Sequence, residues 1–315
     1  MTVLAFPTTD PALTAQANEA LLTSWRLSLH GKAARTVEFY GQEVRRFARW
    51  LADHDLPAVQ PGDLLTVSRR DVEAWLTDLR AAGRAPSTLR SRWIALRNLY
   101  GWLVEEEEVD VSPLAKVRVD RADPPPVHIV TADDLAALLR VCAGREFNER
   151  RDTALIRLLA ATGLRVSELC AVKLADVDLE RRLLVVPHGK GDKHRVVRFD
   201  PATAAALDRY KRARARHHKA AASPVLFLGY RGPLTRKGVP VILDRRAAQA
   251  GVGHVHPHML RHTWAHRWLS AGGTEGDLLK LGGWENADVM RRYGSSMAAD
   301  RALAAYDTIG PMGDL

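Results

Sequence analysis

The chain has 315 residues, enough for two domains that each bury a core. Lys and Arg outnumber Asp and Glu by 46 to 37, and the resulting formal charge of +9 favours an anionic partner, nucleic acid ahead of a membrane surface. Two isolated cysteines, Cys142 and Cys170, exclude a disulfide framework and a thiolate metal site, and no leader pattern or apolar run of ~18 residues occurs, so the cytoplasm is the expected compartment.

Residues 1–15 have no clear period and are expected to form a loose arm. From Thr36 the apolar residues Val37, Tyr40, Val44, Phe47 and Leu51 recur at steps of three and four, the spacing of a helix with one face on a core. Ser68 with Asp71 is a capping signal that opens a second helix, with Val72, Trp75, Leu76 and Leu79 inward and Gly83 at its end. Ser87 opens a third, carrying Leu89, Trp93, Leu96, Tyr100 and Leu103. An all-helical unit is therefore predicted over residues 16–116. Arg84, Arg90, Arg92 and Arg97 lie along or beside the third helix, and spacing alone leaves open whether they form a solvated face or contact phosphates.

Residues 117–130, VRVDRADPPPVHIV, contain three consecutive prolines that favour a semi-rigid extended spacer, and the domain boundary is placed there. The second domain, 131–315, begins with a helix capped by Thr131 and Asp134 (Leu135, Leu138, Leu139, Cys142) and another (Leu155, Leu158, Leu159) that stops at Gly163. Between Val177 and Phe199 two β-branched runs, LLVV and RVVRF, flank a Gly-Lys-Gly-Asp turn and predict a hairpin. A short apolar strand candidate at 224–228 interrupts the helices that follow. The expected fold is mostly α, with a small antiparallel sheet in the second domain.

Four stretches of that domain place polar residues in apolar or tightly turned surroundings. In ATGLRVSEL, 161–169, Arg165 stands three before Glu168; alone, the pair reads as an internal salt bridge. In HGKGDKHR, 188–195, Lys190 lies between glycines that let the backbone turn sharply, yet the spacing is not that of a phosphate-cradling P-loop, and such a lysine is commonly only solubilising. In HPHMLRHTWAHRW, 256–268, Pro257 suits a first helical position and puts His258 and Arg261 on one face. His262 and His266 are four apart, but no HExxH arrangement supports a metal site there. In LGGWENADVMRRYG, 281–294, Trp284 precedes Tyr293, which a local reading treats as packing. Together, two arginines, a lysine, a histidine, an indole N–H and a phenol make sense around one phosphodiester, with guanidiniums where a metal-dependent nuclease would use cations.

In order and interval this set resembles the tyrosine recombinase (phage integrase, Xer-like) family, whose signature runs Arg, Lys, His-x-x-Arg, His-or-Trp, Tyr. The matches are Arg165, Lys190, His258, Arg261, Trp284 and Tyr293, with nine residues from Trp284 to Tyr293. Residues 86–114 are similar to the end of the family's helical, SAM-like core-binding domain. The resemblance implies topoisomerase IB-like strand transfer without metal, ATP or other cofactor: Tyr293 attacks a DNA phosphate, a 3′-phosphotyrosine forms and a 5′-hydroxyl leaves. Arg165, Arg261 and His258 would supply the cationic surroundings that a phenol with an ordinary pKa of about 10 needs, and Lys190 would protonate the departing oxygen. Glu168 would orient Arg165 and His258. Where many members carry His, Trp284 can donate a hydrogen bond but cannot transfer a proton, so its implied role is donor and packing brace.

The resemblance further implies a C-shaped clamp on double-stranded DNA, with Arg84, Arg90, Arg92 and Arg97 on the duplex, inverted-repeat core sites, a dimer on each site and a synaptic tetramer in which residues 296–307 dock on a neighbour. Little chain precedes the core-binding domain, so an arm-binding domain is not expected. Two rival classes are an accessory DNA-binding protein without activity, against which the filled set of six positions argues, and a metal-dependent nuclease, whose clustered carboxylates are missing: EEEE at 105–108 reads as solvated charge. Tyr40, Tyr100, Tyr210, Tyr230 and Tyr306 lack a cationic set and read as packing or surface residues.

Overall fold

The computed structural model describes residues 10–54, 62–120, 128–186 and 194–284. The chain divides into two compact units, Met1–Asp123 and Pro124–Leu315.

Four helices build the first unit: α1 Pro11–Ser28, α2 Ala34–Asp53, α3 Arg69–Ala81 and α4 Pro86–Glu105. Helix α1 starts within the stretch expected to be a loose arm, which corrects that expectation for residues 11–15. Asp10 accepts the Ala12 N–H at 2.9 Å and Pro11 takes the first position, where its missing donor does no harm. In α2, Val44, Phe47 and Leu51 are buried and Val37 and Tyr40 pack against them, as the spacing predicts. Asp71 accepts from both the backbone N–H and the hydroxyl of Ser68, at 2.7 and 2.6 Å, and so fixes the start of α3. Helix α4 begins at Pro86, one residue before the expected Ser87. Trp25, Phe47, Trp75, Leu96 and Tyr100 fill the centre, with the Phe47 and Trp75 rings 4.8 Å apart. Such an aromatic pair adds about 0.5–1.5 kcal/mol beyond its burial. The Tyr100 hydroxyl donates to the Leu64 carbonyl at 2.8 Å, and burial pushes its pKa well above 10, so it packs and does not react.

The basic residues of α4 do not form one face. Arg92, expected to contact DNA, is 7% exposed and lies 2.9 Å from Glu43 of α2, because a guanidinium inside a helical core is tolerated only beside a counter-charge. Half-buried Arg90 donates to the Val119 carbonyl at 3.1 Å. Arg84 and Arg97 are exposed, the latter 5.1 Å over the Trp93 ring. The Arg90 bond, together with the buried Val117, makes the start of the expected spacer part of the first unit's packing. The three prolines lie outside the described residues. At the far end, the Val130 N–H donates to the Thr263 hydroxyl at 2.8 Å inside the second unit.

The second unit contains α5 Ala132–Arg140, α6 Phe147–Thr162, α7 Val166–Ala171, strands β1 Val177–Asp178, β2 Leu183–Val186 and β3 Arg195–Arg198, then α8 Pro201–Ala215, β4 Leu228–Gly229, β5 Gly232–Pro233, α9 Gly238–Ala250, α10 Pro257–Ser270 and α11 Glu275–Gly282. Thr131 accepts the Asp134 N–H at 3.0 Å to start α5, and Gly163, at φ 60°, ends α6. Helix α6 packs on both α8 and α10. Strands β1, β2 and β3 form one antiparallel sheet in that order. Leu184 faces Val197 and Val186 faces Arg195, and burial of Leu184, Val186 and Val197 with exposure of Val185 and Val196 follows the two-residue period. The two-residue β1 is too short to carry a periodic signal. Of the strand candidate at 224–228 only Leu228 is in a ladder, while Val225 makes a lone bridge to Lys173.

Tyr210 is buried and donates to the Leu226 carbonyl at 3.1 Å, with its pKa pushed up to about 12 by burial. Burial likewise pushes the thiols of Cys142 and Cys170 up to about 11, so both stay protonated and pack as small apolar groups. Among the described residues no helix is long and apolar enough to cross a membrane.

Candidate active site

The site is assembled around the C-terminal end of α11. Thr274 opens that helix by accepting the Asp277 N–H at 3.1 Å, and Gly283, at φ 62°, closes it. The last carbonyls of a helix have no partner within it and carry the negative end of its dipole. Here three successive ones each receive a different arginine. Leu281 accepts from Arg195 Nε at 2.8 Å, Gly282 from Arg261 Nη2 at 2.6 Å and Gly283 from Arg165 Nη2 at 2.7 Å. Hydrogen bonds to a charged group contribute about 1.5–3 kcal/mol each, so this turn is among the firmest points of the domain.

Each arginine arrives from a different element. Arg165 precedes α7 directly after the Gly163 turn; its backbone N–H is taken by Glu168 Oε2 at 2.7 Å and its Nη1 by Glu168 Oε1 at 2.9 Å. Arg261 lies one turn into α10 and is 1% exposed. Its Nη1 donates to the Gly163 carbonyl, and its guanidinium carbon stands 4.1 Å over the Trp284 ring. Arg195 leads β3, with Nη1 and Nη2 on Glu168 Oε1 and Oε2 at 2.9 and 2.7 Å. The turns are held open for these contacts by glycine. A Cβ on Gly163 would fall 2.2 Å from the Trp264 ring, and one on Gly282 2.3 Å from Trp284.

Four donors thus fill the acceptor positions of Glu168, all from Arg165 and Arg195. Burial alone would raise the Glu168 carboxyl, but the bonds from Arg195 and Arg165 outweigh it and hold the group below its ordinary value. Three guanidiniums, of Arg165, Arg195 and Arg261, thus converge on one carboxylate and the end of α11. A guanidinium has five N–H donors, and Arg165, with two engaged and its side chain 39% exposed, keeps three for an incoming anion.

Trp284 is half-buried, 6.1 Å from Trp264, and belongs to a small apolar cluster with Leu269 and Leu278 that props α10 against α11. His258 is exposed on the turn before Arg261, its ring edge-on to His262 at 4.8 Å. His256 caps α10 by accepting the Met259 N–H at 3.3 Å; burial and the nearby His254 keep it neutral to lower pH, as a helix N-terminus favours. Lys190 and Tyr293 lie outside the described residues. Among those described, no group of three His, Cys, Asp or Glu is placed to hold a metal ion, His262 and His266 included.

The structure therefore brings together Arg165, Glu168, Arg261 and Trp284, and adds Arg195, which the sequence reading passed over. Arg195 looks like an outward charge on a strand, and its acid lies 27 residues away. The signal that could have found it is Glu168, since a buried carboxylate needs more donors than Arg165 brings.

Residues 128–299 match the phage integrase family, and residues 26–107 match the N-terminal SAM-like domain of phage integrases. Tyrosine recombinase XerC of Corynebacterium efficiens is 31% identical over 285 residues, covering 89% of this chain and 87% of the relative. The chain belongs to the tyrosine recombinase, or phage integrase, family. It is a site-specific recombinase, and nothing in these relationships favours a catalytically silent protein of the same fold. Two solved structures share the fold at 18% identity: the Tn1549 transposon integrase with circular-intermediate DNA (TM-score 0.73, covering 92% of this chain and 98% of that one) and XerH bound to palindromic difH substrate (TM-score 0.71, 96% and 91%).

Proposed function

We propose that this recombinase cuts and rejoins double-stranded DNA at inverted-repeat core sites, with Tyr293 as nucleophile and a 3′-phosphotyrosine as intermediate. The observation that carries the proposal is the convergence of Arg165, Arg195 and Arg261 on Glu168 and the α11 terminus, with open N–H donors on Arg165. Prearranged donors at the position where phosphate charge develops are the largest lever available to a reaction of this kind. Arg165 and Arg261 bind the non-bridging oxygens, His258 donates to the same phosphate, and Glu168 sets the direction of Arg165. Trp284 donates its indole N–H and braces the turn. Lys190 protonates the leaving 5′-oxygen, and the phosphotyrosine conserves the bond energy for religation to another 5′-hydroxyl.

Residues 117–130 join the two units in this reading. Exposed Arg84 and Arg97 contact the duplex backbone from the first unit, Arg90 stiffens that surface, and Arg92 is assigned to its core. The chain works in the cytoplasm, as a dimer on each site and a tetramer in the synapse, with residues 296–307 docking on a neighbour.

The test is covalent capture. The protein is incubated with a randomised duplex library carrying nicks that trap the intermediate, and detergent-resistant adducts are sequenced. Wild type should yield adducts enriched in an inverted repeat, and Tyr293→Phe should yield none while retaining the same duplexes on a filter. An adduct formed by Tyr293→Phe would overturn the assignment.

A further inference from the structure

We infer that Arg195 is a positioning residue for recombination, which holds Arg165 in its productive orientation through Glu168 and through the end of α11. The inference rests on the reading of Arg165 as a phosphate ligand.

Arg195 begins β3, its backbone paired with Val186, and its side chain is 10% exposed. From that fixed stem it makes three bonds in three directions, Nε to the Leu281 carbonyl and Nη1 and Nη2 to the two oxygens of Glu168. A planar guanidinium supplies this fork; an ammonium, as a point charge, cannot meet three divergent partners at once. The approach is close enough that a Cβ on Gly283 would lie 2.8 Å from Arg195 Nη1.

The partners of Arg195 are also the supports of Arg165. Glu168 takes the Nη1 and the backbone N–H of Arg165, and Gly283, two residues beyond Leu281, takes its Nη2. Arg195 thus holds both sides of the frame in which Arg165 sits, without needing donors of its own for substrate. If Arg195 is lost, two of the four acceptor positions on Glu168 fall empty. The carboxylate is then free to turn about its last torsion and to take Arg165 as a two-pronged pair, the favoured geometry for these groups. That rearrangement engages N–H donors that now face solvent. The expected defect is one of rate, with DNA binding retained, since Arg195 itself is withdrawn from the surface.

The experiment uses a nicked duplex recovered by the covalent capture above, with adduct formation followed in a single turnover and duplex affinity measured separately. Arg195→Lys and Arg195→Gln should slow adduct formation by about 10–100-fold, the range for residues that orient a primary ligand, with affinity within about 2-fold. In a Glu168→Gln background, Arg195→Lys should slow the reaction by less than about 3-fold further, because both substitutions break the same path. Circular dichroism gives the folded fraction of each variant. A wild-type rate for Arg195→Lys, a loss of rate matched by equal loss of affinity or folded protein, or the full loss repeated on the Glu168→Gln background would each overturn the inference. No adduct from the wild-type protein would instead remove the reading of the site on which it rests.

Discussion

Glu43 in the first unit and Glu168 in the second are each a nearly buried carboxylate between two arginines, yet they do different things. Glu43 accepts both of its bonds from Arg46 Nη1 at 3.0 Å and faces Arg92 at 2.9 Å; Arg92 is 8% exposed and Arg46 points to solvent. With Arg92 on α4 and Glu43 and Arg46 on α2, the group ties the two helices together. Around Glu168 a third guanidinium joins through the carbonyls of α11, and Arg165 keeps uncommitted donors at the surface. Similar groups become a brace or an anion site according to whether a second anchor, here the Gly283 carbonyl, fixes the outward guanidinium in place.

The sharpest way to break the comparison is to exchange the partly exposed guanidinium of each group for an ammonium. Arg165→Lys should slow single-turnover adduct formation by ~10²–10³-fold, the loss typical of one transition-state donor, while Arg46→Lys should change it by less than about 2-fold. Removing the carboxylate of the brace gives the reverse result. Glu43→Ala leaves Arg92 buried without its counter-charge and should lower stability by about 3–5 kcal/mol in urea titration, with the rate per folded molecule unchanged.

Glycine substitutions sharpen the contrast at smaller scale. Gly283→Ala adds a Cβ at φ 62° against Arg195 and should destabilise by about 1–3 kcal/mol as well as slowing adduct formation. Gly101→Ala, inside α4 with open space around it, should stabilise by about 0.5–1 kcal/mol and leave the rate alone. The acid limb of stability tests the Glu168 group. Its folded-state pKa is depressed, so its contribution is complete above the ordinary 4.5 and is lost as pH falls below that value through the folded one. Thermal melts should therefore show a loss on acidification in this window that is reduced in Glu168→Gln. The smallest effect is expected for Arg97→Ala, which should weaken DNA binding uniformly and reduce the slope of log affinity against log salt by about 1.

The sequence was most readable where local chemistry decides structure. The steps of three and four in α2, the Ser68–Asp71 and Thr131–Asp134 caps, and the Gly163 stop all act within one or two turns. Arg165, Arg261 and Trp284, which the structure brings together, were singled out for another reason, since their order and intervals resemble a known set although each motif alone is ordinary. Helix α1 was missed because its apolar positions are diluted by alanine, and only Leu22 and Trp25 are deeply buried. The burial of Arg92 and the part taken by Arg195 depend on acids 49 and 27 residues earlier, contacts that no periodicity encodes.

The three capped carbonyls at the end of α11 bear on the thermodynamics of turnover. An arginine side chain carries about 2 kcal/mol of rotamer entropy, which a phosphate would otherwise have to quench. Here Arg165 and Arg261 are already anchored to backbone oxygen, so that disorder is removed when the domain folds. The barrier to strand cleavage should accordingly be almost wholly enthalpic, visible as a near-zero activation entropy when adduct formation is followed across temperature.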